Sequence, residues 1–125
     1  MSRTCSFLII VLTTLFLSAA CMKHEPYTKQ CALSTGIHYI HGPGKVIYQV
    51  TNSGKVLVDS LSYHGANGPV TIVRPTLPFT LTVDLAPGAT VGITAHGIAY
   101  DGSFTAEYAL ATPADTLRKK DVCSK

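Results

Sequence analysis

A chain of 125 residues is one domain's worth, and part of it reads as an export segment, which excludes a multidomain machine. Hydrophobic residues make up 46% and charged residues 14%, a balance that excludes a charge-rich disordered segment, a coiled coil or a polyelectrolyte. Ten Lys and Arg against seven Asp and Glu leave a formal charge of +3, too small and too scattered for the clustered basic face that a nucleic-acid partner requires.

Residues 1–20 read as an export signal: one cation at Arg3, an apolar run from Phe7 to Leu17, then Ser18-Ala19-Ala20. The run is too short to cross the hydrocarbon core of a bilayer, which takes about 20 helical residues. The small residues directly before Cys21 resemble the lipobox of bacterial lipoproteins, although Leu17 sits four residues before the cysteine and Ser18 takes the place three before it. That resemblance implies a lipid on the Cys21 thiol, which would make the membrane a partner through a lipid anchor. The alternative is an ordinary secretory signal cut after Ala20, leaving Cys21 free.

Cysteine parity bears on the choice. Cys5 leaves with the signal, so Cys21, Cys31 and Cys123 remain, and an odd thiol is stranded in an oxidising compartment unless Cys21 is lipidated. Cys31 and Cys123 then form a pair able to staple the termini by a disulfide, provided that their Cα atoms lie within about 7 Å. Residues 21–36, with mixed polar residues and Pro26, read as the anchor cysteine and a tether. The domain is expected over 37–125.

From Ile37 onward apolar residues recur with period two between turn signals. Val46, Tyr48 and Val50 alternate through Lys45 to Thr51, and Asn52-Ser53-Gly54 predicts a hairpin that returns along Lys55 to His64. In that return Leu57, Leu61 and Tyr63 share a face with Asp59 while Val56 and Val58 oppose them, so a bulge near Asp59 is expected. Gly65-Ala66-Asn67-Gly68-Pro69 predicts a turn into Val70 to Val73, which Arg74-Pro75 ends. Phe79, Leu81, Val83 and Leu85 alternate against Thr80, Thr82 and Asp84. Ala86-Pro87-Gly88 leads into Thr90 to Tyr100, Asp101-Gly102 predicts another hairpin, and Phe104, Ala106, Tyr108 and Leu110 line the inner face of the next strand. Thr112 to Asp115 breaks it before a last extended piece with Val122 and Cys123. About seven short antiparallel strands predict an all-β fold, a small immunoglobulin-like β-sandwich.

The residues that could carry chemistry do not fall into catalytic patterns. His38 and His41, three apart, sit on opposite faces of a strand; His24, His64 and His96 fall in the tether, before a turn and on a polar face. No metal or cofactor is expected. Asp59, Ser60 and His64 are near one another in sequence, but adjacent strand residues point to opposite faces. Gly42-Pro43-Gly44-Lys45 lacks the spacing and the helix of a phosphate loop. Carboxylates Asp84, Asp101, Glu107 and Asp115 are scattered, so an enzyme is not expected. Arg118-Lys119-Lys120 is the one basic run, suited to anionic head groups or to blocking sheet-to-sheet aggregation. Tyr39 and Tyr100, with that run, are the candidate partner surface, while tyrosines such as Tyr48 and Tyr63 suit either an exposed patch or the edges of the core.

Four fragments carry a further resemblance: Val46-Ile47-Tyr48-Gln49-Val50-Thr51, Leu61-Ser62-Tyr63, Leu77-Pro78-Phe79 and Ala86-Pro87-Gly88-Ala89-Thr90-Val91-Gly92-Ile93-Thr94-Ala95. In order and spacing they resemble the soluble domain of the MmpS-type transport accessory proteins, exported actinobacterial proteins with an immunoglobulin-like sandwich. The family usually has Gly where this chain has Asn52, and often Trp where it has Phe79. The resemblance implies a non-catalytic envelope module whose partner is an envelope protein or transporter. A second set, Gly97-Ile98-Ala99-Tyr100 and Tyr108-Ala109-Leu110-Ala111-Thr112, resembles lipoprotein inhibitors of C-type lysozyme, with His96 in place of their Ser and Pro113-Ala114 in place of their Lys-Gly. That likeness implies an inhibitor or small-ligand-binding lipoprotein as the alternative.

Overall fold

The computed structural model describes residues 28–125, so the expected export signal, Cys21 and His24 lie outside the described residues. Eight strands follow in order: β1 (Lys29–Ser34), β2 (His38–Tyr39), β3 (Gly44–Gly65), β4 (Gly68–Val73), β5 (Phe79–Leu85), β6 (Thr90–Val91), β7 (Ile93–Ala111) and β8 (Thr116–Ser124). All pairings are antiparallel. The chain forms the all-β sandwich that the alternation predicts, but it does so with two strands far longer than the sequence suggests.

β3 and β7 pair along nearly their whole lengths, from Lys45 opposite Ala111 to Tyr63 opposite Ile93. A straight strand rises about 3.3 Å per residue, so Tyr48 and His64 would lie about 50 Å apart. Instead the Tyr48 hydroxyl donates to the His64 carbonyl at 2.7 Å, and the Tyr48 and Tyr63 rings sit 5.3 Å apart. The two-stranded ribbon therefore doubles over on itself. One half, flanked by β5 and β8, makes one layer; the other half, flanked by β4 and β1, makes the facing layer.

The hairpins predicted at Asn52-Ser53-Gly54 and at Asp101-Gly102 do not form. The two glycines face each other across the β3–β7 ladder, Gly54 opposite Gly102, and together make one bend. Gly54 has φ +79°, and a Cβ on Gly102 would collide with the Ser53 carbonyl and with the Lys55 nitrogen at 2.7 Å. Both strands can turn the corner there because neither carries a side chain.

Two register shifts then restore inward faces on either side of the bend. Lys55 pairs with Asp101 and Val56 with Ala99, which leaves Tyr100 as an extra residue on β7; the second shift leaves Asp59 extra on β3. The bulge near Asp59 is thus found. On β3 it moves the inward set from Val56 and Val58 to Leu61 and Tyr63, and on β7 the bulge at Tyr100 moves it from Ile93, Ala95 and Ala99 to Phe104, Ala106, Tyr108 and Leu110.

β1 lies inside the stretch expected to be tether, and it pairs with β7 from Lys29 opposite Ala99 to Ser34 opposite Thr94. The sheet therefore starts at Lys29, eight residues before Ile37. Cys31 on β1 is disulfide-bonded to Cys123 on β8, with Cα atoms 6.1 Å apart, inside the range such a bond needs. The bond joins the outer strand of one layer to the outer strand of the other. Beside it the Ser34 N–H donates to the Asp121 carboxylate at 3.1 Å.

Candidate functional site

The doubled ribbon gives the sandwich two unlike ends. At the bend lie Gly54, Gly102, the last residues of β8 and the start of β1 at Lys29, whose ammonium reaches the Ser124 carbonyl at 3.4 Å. At the other end converge residues 35–43, the β3–β4 turn, residues 86–92 and the β7–β8 turn. Connections gathered at one end of a rigid sandwich are the usual carriers of binding.

At that open end, β2 and β6 form a two-residue ribbon across the core, His38 opposite Val91 and Tyr39 opposite Thr90. It is held by the Ile40 N–H donating to the Ala89 carbonyl at 3.0 Å and the Gly88 N–H donating to the Ile40 carbonyl at 3.0 Å. Alternation decides the rest: Ile40 drops into the core, so Tyr39 points out and is 56% exposed. Its ring meets His41 edge-on at 5.8 Å between centroids. Tyr39, His41 and Pro43 form one wall of an apolar groove of about 390 Å³, and Pro113 and Ala114 of the β7–β8 turn form the other. That turn is closed on itself by Thr112 and Asp115, whose backbone groups exchange hydrogen bonds at 2.8 and 3.3 Å.

A smaller cavity of about 140 Å³ lies at the same end among Gly36, Ile37, Tyr63, His64 and Ile93. Two of its lining residues, His64 and Gly92, are tied to the buried Tyr48 hydroxyl, which accepts the Gly92 N–H at 3.4 Å while donating to the His64 carbonyl. Burial pushes the Tyr48 phenol above its ordinary value of 10.0, opposed by these bonds to Gly92 and His64; burial likewise raises Tyr108. The His64 ring is engaged through Nδ1, 3.0 Å from the Thr90 hydroxyl.

The structure does not unite the expected partner surface. Tyr39 is at the open end; Tyr100 is the bulge residue near the bend, with the Lys55 ammonium 5.6 Å from its ring centroid. Arg118, Lys119 and Lys120 lie along β8 opposite Ala109, Tyr108 and Glu107. Lys119, exposed, falls on the same side of β8 by alternation as Leu117 and Cys123, and charges along an edge strand oppose strand addition. Ser60 pairs with His96 rather than with His64, and Asp59 bulges away, so those residues form no catalytic set. Among the described residues no group of three or more His, Cys, Asp and Glu could hold a metal ion. The groove walls Pro43 and Pro113 carried only turn signals in the sequence; their convergence follows from the β3–β7 register, which sets Lys45 opposite Ala111 and so brings the β7–β8 turn beside the residues that lead into β3.

Comparison with known protein families, with curated proteins and with solved structures finds no match.

Proposed function

We propose that this chain is an exported, lipid-anchored envelope protein whose sandwich binds another envelope protein as a non-catalytic accessory, through the groove beside Tyr39. The observation that carries the reading is polarity. The chain enters the sandwich at Lys29, at the bend, and the groove lies at the opposite end, a layer's length of about 20–30 Å away. An anchor at Cys21 would then hold the domain by its closed end and present the groove away from the lipid. The resemblance to MmpS-type accessory proteins supports a transporter as the partner. The lysozyme-inhibitor likeness gains less support: Gly97–Tyr100 lies near the bend and Thr112 just beyond the far end of β7.

Labelled palmitate is expected in the wild-type chain and absent from Cys21→Ala. A photo-reactive side chain at position 39 is expected to cross-link a membrane transport protein in cells, whereas one at Tyr100 does not. Tyr39→Ala, with its melting temperature unchanged, is expected to weaken that association about tenfold or more, as removal of a central aromatic anchor does. Association insensitive to Tyr39→Ala, or inhibition of lysozyme by the purified chain, would contradict the reading.

A further inference from the structure

The sandwich has exposed strand edges, and the sequence treats them differently. The β1 and β8 edges are clasped by the Cys31–Cys123 bond and by Asp121, and β8 carries the exposed charges Arg118, Lys119 and Lys120. β5 bears Asp84, which pairs with Lys45 at 3.7 Å. β4, Gly68-Pro69-Val70-Thr71-Ile72-Val73, has no charge, and two of the seven exposed large apolar side chains among the described residues belong to it: Val70 at 40% and Val73 at 71%. An uncharged, β-branched edge of this kind is a template for another strand.

Two backbone bonds fix which groups of β4 are available. The His64 N–H donates away from β4, to the Gly92 carbonyl at 3.1 Å, so its cross-strand neighbour Pro69 turns its own backbone groups outward. The Arg74 N–H donates to the Asp59 carbonyl at 2.7 Å, so the even-numbered positions of β4 face β3. Alternation then directs the N–H and C=O of Thr71 and Val73, and the C=O of Pro69, to the open edge. Pro69 removes one donor without ending the strand.

We propose that β4 pairs antiparallel with β4 of a second copy of this chain about a two-fold axis at Thr71. In that register the two Thr71 residues exchange N–H···O=C bonds, and each Val73 N–H donates to the Pro69 carbonyl of the other copy. Four bonds form, and the partial charges of the edge complement themselves with no formal charge opposing. The Val73 side chain meets the Pro69 ring of the second copy on one face, and Val70 meets Ile72 of the second copy on the other. The layer β4–β3–β7–β1 becomes half of an eight-stranded sheet. A partner strand from another protein would need only this edge's length; a second copy uses its self-complementarity and is isologous, as two-fold interfaces are.

Six residues a side fall below the roughly 20–30 of a standard interface, so the full chain in mild detergent is expected to dimerise reversibly between about 10 µM and 1 mM by sedimentation equilibrium. Thr71→Pro removes an outward N–H while leaving the β3–β4 ladder intact, and Val73→Lys places a like charge on each copy beside the seam. Each is expected to raise the dissociation constant about tenfold or more with the circular-dichroism spectrum unchanged. Thr71→Cys is expected to give a disulfide-linked dimer, whereas Thr82→Cys on the outer face of β5 is not. A monomer throughout the range, a dimer indifferent to both Thr71→Pro and Val73→Lys, or cross-linking from Thr82→Cys alone would overturn the proposal.

Discussion

Replacing both Cys31 and Cys123 by serine is expected to cost about 4–5 kcal/mol of folding stability in the chain-entropy account of a cross-link. The bond spans 92 positions of sequence and closes almost the whole domain. Domains are stable by about 5–15 kcal/mol, so a loss of this size removes about a quarter or more of the total. At about 4–8 °C per kcal/mol for a domain of under 100 residues, the thermal midpoint is expected to fall by roughly 16–40 °C. Placement adds to length: the bond is the covalent link between the outer strands of the two layers, and without it the β1–β8 side keeps the Ser34–Asp121 and Lys29–Ser124 hydrogen bonds. Thermal unfolding followed by circular dichroism, with and without reductant, measures the effect, and a shift below about 5 °C would show that the layers do not depend on this closure.

Gly102→Val is expected to be nearly as damaging, at about 3–5 kcal/mol, because what a side chain would meet there is backbone rather than the flexible end of another side chain. Its Cβ would strike the Ser53 carbonyl, lie 2.7 Å from the Lys55 nitrogen and 2.8 Å from the Gly54 Cα. Relief requires the two strands to part at the bend, which pulls the layers off register. Gly42→Ala is the matched control, since nothing lies within 4 Å of the Cβ it adds; it is expected to change stability by less than about 0.5 kcal/mol. Denaturant titration of the two variants distinguishes a requirement at the bend from a general intolerance of added side chains. Equal stabilities would remove the bend from the explanation of the fold.

Much of the layer interior was legible because period two states its own answer. Phe79 to Leu85, and Phe104 through Leu110, alternate without interruption, and Phe79, Val83 and Leu85 of the first and all four inward residues of the second pack on the core. Asp59 was legible as a bulge because the apolar residues change parity across it. Asn52-Ser53-Gly54 and Asp101-Gly102 were misread for a physical reason: positive φ and a missing side chain serve a tight turn and a coordinated bend of two strands equally well. Only the pairing of Gly54 with Gly102 separates the cases, and that pairing joins residues 48 positions apart. β1 was hidden because six residues beside a polar stretch carry too little alternation to outweigh it, with Cys31 and Leu33 as its inward residues. The groove was less legible still. Tyr39 is exposed because Ile40 takes the buried place, and its opposite wall at Pro113 comes from 74 residues further along the chain.

A doubled ribbon, rather than two successive hairpins, is what separates the end where the chain enters from the end that bears the groove. Nuclear Overhauser contacts across the backbone test it most directly. The doubled ribbon predicts cross-strand contacts between Asn52 and Phe104 and between Ser53 and Ser103, together with ring contacts between Tyr48 and Tyr63. Contacts between Thr51 and Lys55, the signature of a hairpin at Asn52-Ser53-Gly54, with none from Ser53 to Ser103, would contradict it.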